Sequence, residues 1–581
     1  VDAGIAGAVE IPIPEEWAHA TEGGFIAKIN RPDFVRDVCD VMNRQEGDDL
    51  PVSTFKGWED GTFTTGTSHY ERPAAAIQVP EWIPENCISC NQCAFVCPHA
   101  AIRPFIVTEE EEARAPEGFI CRDLPGPKKG LKYRIIVSPE DCYGCNICAN
   151  VCPAPKKALV MKPVETQLDK QKYWDYAITL PRKENPMNKF TVRGSQFEPT
   201  YFEFSGACAG CGETPYVHLV TNLFGDRMLI ANATGCSSIY GASAPSMPYC
   251  TNAEGQGPAW ANSLFEDNAE FGLGMHLGEI KLRRRVEEKL NEVLPSSDEN
   301  TKTAIEEWLA GKDMGDGTRS RAEKLEAALN AKVSSHPEYK EILALKDHFI
   351  KKSQWIFGGD GWAYDIGFGG LDHVLASGED INVLVLDTEV YSNTGGQSSK
   401  STPAAAIAKF AAAGKKTKKK DLGMIAVSYG YIYVAQIALG ADMNQAVKAI
   451  HEAESYPGPS LIIAYAPCIN HGIKAGMGEA SAEQKAAVEC GYWCNWRYDP
   501  RLLDAGKNPF HLDSREPKGD FRKFLLGEVR YASLQKLFPQ EAEALFEKTE
   551  KDARARRQSY VRMQKSFDLE MQEHQATAEQ K

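Results

Sequence analysis

Two copies of one cysteine pattern lie close together in the sequence. The pattern C-x2-C-x2-C-x3-C-P occurs at Cys87, Cys90, Cys93, Cys97 and Pro98 and again at Cys142, Cys145, Cys148, Cys152 and Pro153. Three closely spaced thiolates can bind one face of an iron–sulfur cubane, and the fourth cysteine of such a run binds the other cluster. The spacing therefore predicts two [4Fe–4S] clusters that exchange their fourth ligands. We expect one cluster on Cys87, Cys90, Cys93 and Cys152 and the other on Cys142, Cys145, Cys148 and Cys97.

Zinc is the alternative metal for paired cysteines, because structural zinc sites also use C-x2-C pairs. A fourth cysteine followed by proline, found in both copies, is not a zinc pattern. The spacing is that of bacterial two-cluster ferredoxins. Such a module conducts electrons but transforms no substrate, so another part of the chain must supply the electrons.

Four further cysteines stand in motifs that can converge on one site. Cys208 and Cys211 form a C-x2-C pair, Cys236 lies in TGCSS and Cys468 lies in APCINHG. The last two follow predicted strands, and loops at the carboxyl ends of parallel strands meet at one edge of the sheet. Buried core cysteines are common, and we interpret the rest in that way: Cys39, Cys121, Cys250, Cys490 and Cys494.

A predicted strand runs into Gly359-Asp360-Gly361, where a helix is expected to begin. Free N–H groups at a helix start bind phosphate, glycine lets the backbone approach closely, and the carboxylate of Asp360 can bind a magnesium ion. A second predicted strand leads into Thr388, and this order resembles the thiamine-diphosphate signature. Thr388 and Glu389 replace the usual paired asparagines, so the magnesium ligands are expected to be Asp360, the Thr388 hydroxyl and the Val390 carbonyl. Gly-Asp-Gly alone occurs by chance in many chains, so this prediction depends on its surroundings.

The elements that must position these residues alternate between strands and helices. Short apolar runs predict strands at residues 227–233, 354–358, 381–387, 423–427 and 460–465. The clearest predicted helix covers residues 433–454, and the charged stretch 278–352 predicts a helical insertion. This alternation implies an α/β domain with a mostly parallel sheet and helices on both faces, beside a small α+β domain with the cysteine repeats.

Length and composition bound the remaining possibilities. A chain of 581 residues is too long for one core, and we expect a connector at 1–80, a ferredoxin-like domain at 81–165, a cofactor domain at 166–495 and a packing segment at 496–581. The net charge of −15 argues against nucleic acid as a partner, and the run Lys415–Lys420 is interpreted as a solvated loop. No apolar run approaches the ~18 residues that a membrane-spanning helix needs.

Longer motifs resemble the C-terminal portion of the pyruvate:ferredoxin (flavodoxin) oxidoreductases. They are CAGCGET, TGCSS, GGDGWAYDIG, DTEVYSNTGGQ, YGYIYVAQIALGADMNQ and YAPCINHG. The resemblance implies a third [4Fe–4S] cluster on Cys208, Cys211, Cys236 and Cys468, beside thiamine diphosphate and Mg²⁺. It also implies cofactor contacts from Glu213, Cys236, Gly359, Asp360, Gly361, Trp362, Thr388, Glu389, Val390, Tyr391, Ser392 and Asn393, with Asn393 near the substrate as the catalytic candidate.

The reaction implied by the resemblance is the oxidative decarboxylation of pyruvate with coenzyme A to acetyl-CoA and carbon dioxide. Electrons would pass through three clusters to ferredoxin or flavodoxin, in an anaerobic cytoplasm because such clusters are oxygen-sensitive. Thiamine enzymes use two related domains, and only one is found here. We therefore expect an upstream segment or a partner subunit, in an enzyme that is a homodimer as a whole. The alternatives are another 2-oxoacid:ferredoxin oxidoreductase, a non-redox thiamine enzyme, or an iron–sulfur electron carrier without enzymatic activity.

Overall fold

The computed structural model describes residues 7–10, 12–19, 30–126 and 130–579. Its contacts divide the chain into two units, Val1–Thr62 and Phe63–Lys581. The described part of the first unit consists of short helical turns at Glu15–His19, Val35–Cys39, Asp40–Asn43, Gly47–Asp49 and Val52–Phe55. All residues of the predicted sites lie in the second unit. The predicted division into four segments stays a prediction.

The cysteine repeats lie between five short strands. These are β1 (Gln78–Trp82), β2 (Ile102–Thr108), β3 (Arg122–Asp123), β4 (Leu131–Val137) and β5 (Leu159–Pro163). β1 pairs with β5, and β2, β4 and β3 form a three-stranded antiparallel sheet. A short helix follows the second cysteine of each run, at Gln92–Phe95 and at Ile147–Val151.

A single eight-stranded sheet organises the rest of the second unit. Its strands are β6 (Met228–Ala233), β7 (Ala259–Ser263), β8 (Ser353–Gly359), β9 (Asn382–Asp387), β10 (Tyr433–Ile437), β11 (Ser460–Tyr465), β12 (Trp496–Tyr498) and β13 (Phe510–Leu512). Their spatial order is β13-β12-β10-β11-β9-β8-β6-β7. The six strands β10, β11, β9, β8, β6 and β7 are parallel to one another. β12 pairs antiparallel with β10, and β13 pairs antiparallel with β12. The mostly parallel sheet confirms the predicted fold class.

The central strands are buried on both faces, which explains their continuous apolar sequences. Every residue of β9 and of β11 is buried. Val383 and Val385 pack in one core with the helix Phe368–Ala376, whereas Leu384 and Leu386 pack in another core with the helix Thr214–Phe224. Helices therefore cover both faces of the sheet.

Two local predictions were wrong. Residues 423–427 belong to a helix, Leu422–Val427, and the predicted helix at 433–454 is strand β10 followed by the helix Met443–Glu454. All five residues of β10 are buried, and a fully buried strand lacks the alternation that separates strand from helix. The break lies before Asp442, whose side chain accepts a hydrogen bond from Gln445 N at 2.9 Å and caps the helix.

The charged insertion is helical, as predicted. It contains the end of the long helix Asn268–Val293, then Glu299–Gly311, Thr318–Lys332 and Tyr339–Leu343. These helices enclose a core of their own around Trp308. The segment after β11 adds the helices Ala480–Glu489, Arg501–Asp504, Phe521–Gly527, Val529–Leu537 and Pro539–Glu579. No described helix combines the length and apolar character that crossing a membrane requires.

Candidate active site

The three C-x2-C loops share one backbone conformation. Ser89, Gly144 and Gly210 each precede the second cysteine of a pair, and their φ angles are 57°, 65° and 77°. In the first two loops this residue donates its N–H to the first cysteine of the pair, Cys87 Sγ or Cys142 Sγ, at 3.4 Å. The loop that contains Gly210 thus turns in the same left-handed way as the two ferredoxin-like loops.

The structure brings Cys152 of the second run to the cysteines of the first. Burial raises the pKa of Cys90, and the thiols of Cys87 and Cys152 raise it further. Burial also holds the pKa of Cys93 well above its usual value, with contributions from the same neighbours. Charged groups influence a pKa in this way when they lie a few ångströms apart. We call these four residues the Cys87 group.

Cys97 of the first run lies with the cysteines of the second. Burial, followed by Cys97, raises the pKa of Cys145 to about 11. The pKa of Cys148 is well above its usual value because of burial, followed by Cys145, Cys142 and Cys97. We call Cys97, Cys142, Cys145 and Cys148 the Cys142 group.

Four cysteines from three separate loops meet beside the sheet. Burial, with smaller contributions from Glu213 and Cys208, raises the pKa of Cys468 to about 11. Burial likewise raises the pKa of Cys236, followed by Glu213, Cys468 and Cys211. Cys236 follows β6 and Cys468 follows β11, so the sheet brings together residues far apart in sequence. We call Cys208, Cys211, Cys236 and Cys468 the Cys208 group.

The three groups fit a polynuclear cluster better than a single metal ion. A zinc ion draws four sulfurs around one atom through bonds of about 2.3 Å, whereas a cubane offers a separate iron to each thiolate. Within the described ranges, no three His, Cys, Asp or Glu side chains converge as the ligands of one ion would. Buried thiols with raised pKa values resist ionisation, and coordinated iron would remove that obstacle because a metal deprotonates its thiol ligands.

A cavity of about 230 Å³ lies at the carboxyl ends of β6, β8 and β9. Of the predicted cofactor contacts it is lined by Glu213, Cys236, Gly359, Gly361, Trp362, Val390, Tyr391, Ser392 and Asn393. Thr234, Gly235, Ser237, Phe265 and Thr394 also line it and were not predicted. Thr234, Gly235 and Ser237 flank Cys236 in TGCSS and could have been found from that motif. Phe265 follows β7, a strand that the sequence did not reveal.

The Thr388 hydroxyl stands at octahedral spacing from both of the other predicted magnesium ligands. Thr388 Oγ1 lies 3.0 Å from Asp360 Oδ1 and 3.0 Å from the Val390 carbonyl oxygen. With Mg–O bonds of about 2.1 Å, adjacent corners of an octahedron are about 3.0 Å apart. Asp360 begins a π-helical turn at Gly361–Ile366 and also accepts a hydrogen bond from Ser399 Oγ at 2.6 Å. These oxygens therefore fit a magnesium ion at the edge of the cavity.

Glu213 brings an unsatisfied carboxyl group to the cavity wall. Its residue is 4% exposed, and Oε2 has no hydrogen-bond partner of good geometry among the described residues. Burial raises the pKa of Glu213 to about 7, against a smaller opposing effect of Tyr240. Buried polar atoms are seldom left without a partner, so this carboxyl group fits a polar group of a bound cofactor.

Comparisons with known proteins agree with this geometry. Residues 325–464 match the family described as thiamine pyrophosphate enzyme, C-terminal TPP binding domain, and residues 86–156 match a 4Fe-4S dicluster domain. Residues 26–74 match a domain of unknown function. The chain is 59% identical over 574 residues to a pyruvate-flavodoxin oxidoreductase of Enterobacter agglomerans, an alignment with 97% of this chain and 48% of that protein. It is 54% identical over 572 residues to the pyruvate:ferredoxin oxidoreductase of Moorella thermoacetica, with the same coverage of 97% and 48%.

By sequence, nearly the whole chain is similar to pyruvate:ferredoxin (flavodoxin) oxidoreductases. This confirms the resemblance inferred from the motifs. The chain spans about half the length of these two relatives. It is also 48% identical over 567 residues to a mitochondrial pyruvate dehydrogenase [NADP(+)] of Euglena gracilis, with 95% of this chain and 31% of that protein aligned.

The side chain of Glu389, one of the predicted cofactor contacts, binds other residues of the chain. The carboxylate of Glu389 is turned away from the cavity, where it accepts hydrogen bonds from Lys419 Nζ at 2.9 Å, Arg530 Nη2 at 2.8 Å and Tyr492 OH at 2.5 Å. Its side chain is therefore not available to a cofactor. His471 is a fully buried loop residue whose Nε2 lies 2.7 Å from the Thr388 carbonyl oxygen.

The lysine-rich run is a loop that is only partly solvated, because Lys416 and Lys418 are exposed whereas Lys415 and Lys419 bind other residues. Lys415 donates to the carbonyl oxygens of Ser399 and Thr402, and burial lowers its pKa to about 8. Lys419 is 7% exposed and forms an ion pair with Asp387 at 2.8 Å. The prediction fails for these two lysines because the carboxylate and carbonyl groups that bind them come from other parts of the sequence.

Proposed function

We propose that this chain is the cofactor-binding and electron-transfer half of a pyruvate:ferredoxin or flavodoxin oxidoreductase. The complete enzyme would convert pyruvate and coenzyme A to acetyl-CoA and carbon dioxide and reduce ferredoxin or flavodoxin. The observation that carries this proposal is the position of Cys236. It lines the cavity, its Sγ lies 3.2 Å from Ser392 Oγ, and it belongs to the Cys208 group. A cofactor in the cavity would thus stand directly beside the ligand of an electron-accepting cluster.

The cavity would hold the diphosphate end of thiamine diphosphate. Asp360, the Thr388 hydroxyl and the Val390 carbonyl would hold Mg²⁺, while Gly359 and Gly361 let the backbone approach the phosphates. Thiamine diphosphate, when bound, supplies an electron sink for the carbon atom that loses carbon dioxide. The chain's own walls would exclude water from the reacting carbon, and Asn393 at the cavity would contact the substrate.

The contacts between the cysteine groups support one order of electron transfer. The backbone of Gly210, in the loop of the Cys208 group, lies close enough to Cys145 of the Cys142 group to lower the pKa of that thiol. Cys93 of the Cys87 group in turn contributes to the raised pKa of Cys148. Electrons would therefore pass from the Cys208 group to the Cys142 group and then to the Cys87 group. Cys90 lines a groove of about 780 Å³ beside Ile88, a residue that is 54% exposed, and we place the acceptor at this groove.

Substrate choice would depend on a part of the enzyme outside this chain. None of the described residues that line the cavity is a lysine, arginine or histidine, so none offers a cation to the carboxylate of a 2-oxoacid. Upstream parts of the enzyme, on the same polypeptide or on a partner subunit, would supply that contact, the second thiamine-binding domain and a coenzyme A domain. This observation keeps another 2-oxoacid:ferredoxin oxidoreductase as the second candidate. We further infer that the complete enzyme is a homodimer in an anaerobic cytoplasm.

Iron and acid-labile sulfide per chain, measured on anaerobically purified protein, test the proposal. Three cubanes require about twelve of each, whereas the ferredoxin-like module alone requires about eight. The variant Cys468→Ser is expected to lower the count from about twelve to about eight. Cys494→Ser is the matched control, because Cys494 is a buried core cysteine outside the three groups. A wild-type count near eight would contradict the assignment of the Cys208 group and the proposed function with it.

A further inference from the structure

Six charged side chains are buried together next to the turn that contains Thr388 and Val390. Three are carboxylates, namely Asp387, Glu389 and Glu528. Three can carry positive charge, namely Lys419, Arg530 and His471. Their side chains are between 0% and 7% exposed. Charged residues are almost never buried so deeply unless they are paired. Burying six charged side chains costs free energy, which suggests that they hold a functional part of the structure in place.

Every carboxylate oxygen of Glu389 is held by a partner. Lys419 Nζ lies 2.9 Å from Oε1, and Arg530 Nη2 and Tyr492 OH lie 2.8 Å and 2.5 Å from Oε2. Arg530 lies 141 positions further along the chain than Glu389 and belongs to the C-terminal segment, for which the sequence predicted packing alone. Its Nε donates to Glu528 Oε2 at 2.7 Å, so one guanidinium group joins two buried carboxylates.

Glu389 needs this support because of its backbone. Its φ angle is +61°, in the left-handed region that favours glycine. A residue of this kind keeps its conformation only when the surrounding contacts determine it. Thr388 and Val390, which flank it, carry two of the three oxygens with octahedral spacing. A change of the Glu389 backbone would therefore move both oxygens.

The same arginine supports the other side of the turn through a second set of contacts. Glu528 Oε1 faces His471 Nδ1 at 3.4 Å, and His471 Nε2 lies 2.7 Å from the Thr388 carbonyl oxygen. Arg530 is thus connected to the turn directly through Glu389 and indirectly through Glu528 and His471.

We propose that Arg530 is a positioning residue for the metal site. It holds Glu389 in the left-handed conformation and thereby keeps Thr388 Oγ1 and the Val390 carbonyl at the spacing of two magnesium ligands. The inference rests on the proposed function, in which this site binds Mg²⁺ with thiamine diphosphate. Arg530 itself touches neither the cavity nor the predicted ligands.

The test is the Mg²⁺ concentration that half-saturates thiamine diphosphate binding in the holoenzyme that contains this chain. Loss of a residue that orients metal ligands typically costs about 10- to 100-fold in metal affinity, so Arg530→Gln is expected to raise this concentration by roughly tenfold or more. Arg497→Gln is the matched control, since Arg497 is 9% exposed and also joins two carboxylates, Glu452 and Asp513, at a distant place in the sheet. It is expected to lower stability without changing the Mg²⁺ requirement, and both variants should keep the wild-type iron count.

Glycine at position 389 provides a second, independent check. It adopts positive φ without support, so Arg530→Gln combined with Glu389→Gly should need less Mg²⁺ than Arg530→Gln alone. If Arg530→Gln does not accumulate, Arg530→Lys is expected to show an intermediate requirement, because it keeps the charge but not both contacts. The proposal is refuted if wild type binds Mg²⁺ and thiamine diphosphate while the Arg530 variants need no more Mg²⁺ than Arg497→Gln. A wild-type holoenzyme that binds neither would instead refute the proposed function.

Discussion

Replacing Thr388 by valine removes one hydroxyl group from the proposed magnesium site and leaves the side-chain volume nearly unchanged. Thr388 is 2% exposed, and its Oγ1 lies 3.0 Å from both Asp360 Oδ1 and the Val390 carbonyl oxygen. Without the hydroxyl, Asp360 Oδ1 still accepts a hydrogen bond from the backbone N–H of Thr388 at 3.2 Å. The Val390 carbonyl oxygen loses its contact with the hydroxyl. The metal would then keep two of its three protein ligands.

The size of the effect follows from these contacts. A hydrogen bond to a charged group contributes about 1.5–3 kcal/mol, and a buried group left without a partner costs about 1–3 kcal/mol. Residues that only orient a metal ligand typically contribute about 10- to 100-fold to metal affinity, so losing the hydroxyl ligand in Thr388→Val should weaken Mg²⁺ binding by roughly tenfold or more. Stability without metal should fall by about 1–3 kcal/mol.

Calorimetric titration of the anaerobic holoenzyme with thiamine diphosphate, at a series of Mg²⁺ concentrations, measures this effect. Thr388→Ser keeps the hydroxyl group and should bind Mg²⁺ almost as wild type does. Equal Mg²⁺ requirements for wild type and Thr388→Val would show that the hydroxyl is not a ligand. The spacing at this turn would then have no connection to a metal.

Three other perturbations test separate parts of the structure. Cys152→Ser should alter the electron paramagnetic resonance signal of the cluster on the Cys87 group and leave the signal of the cluster on the Cys142 group unchanged. The control Cys121→Ser should change neither signal. A change of the second signal alone would contradict the exchange of fourth ligands. Burial lowers the pKa of His218 to about 3, so the folded protein keeps this side chain neutral where the unfolded chain would protonate it. The folded state therefore has its full stability above about pH 6.5 and loses stability as the pH falls towards 3. Unfolding measured at pH 7 and pH 5 should show wild type losing about 2 kcal/mol more than His218→Gln, and equal losses would contradict this. Leu384→Ala, in the middle of β9, should lower the free energy of unfolding by about 2–5 kcal/mol in denaturant, whereas Leu569→Ala, 61% exposed, should leave it within about 0.5 kcal/mol.

Local chemistry was predictable where the residues that act together are close in sequence or end neighbouring strands. The spacing of Cys142, Cys145 and Cys148 needs only one short loop to bring three thiols together. Asp360 and Thr388 follow β8 and β9, two adjacent parallel strands, so the order of the strands already places them at one edge. The apolar runs of these strands were also unambiguous, because polar turn residues end them.

Prediction failed where burial depends on distant partners. Glu389 follows Thr388 directly, yet its carboxylate forms ion pairs with Lys419 and Arg530. No local sequence pattern indicates that these two residues would lie beside it. The lysine run looked solvated for the same reason, since the sequence gives no sign that Asp387 would meet Lys419. In β10, burial on both faces removed the alternation that would have distinguished a strand from a helix.

The long helix Asn268–Val293 connects the sheet to the insertion as one rigid element. Its first turns pack on the sheet through Ala269 and Gly272, and its last turns enter the insertion core through Leu290 and Val293. Twenty-six residues at 1.5 Å per residue make an arm about 39 Å long, so a tilt of about 5° at the sheet would displace the far end by roughly 3 Å. A methyl group on Gly272 would lie 2.5 Å from Ile356 of β8, too close to fit without movement. The close approach of Gly272 to β8 is thus one of the contacts that set the position of the insertion, together with the ion pair between Arg319 and Asp226.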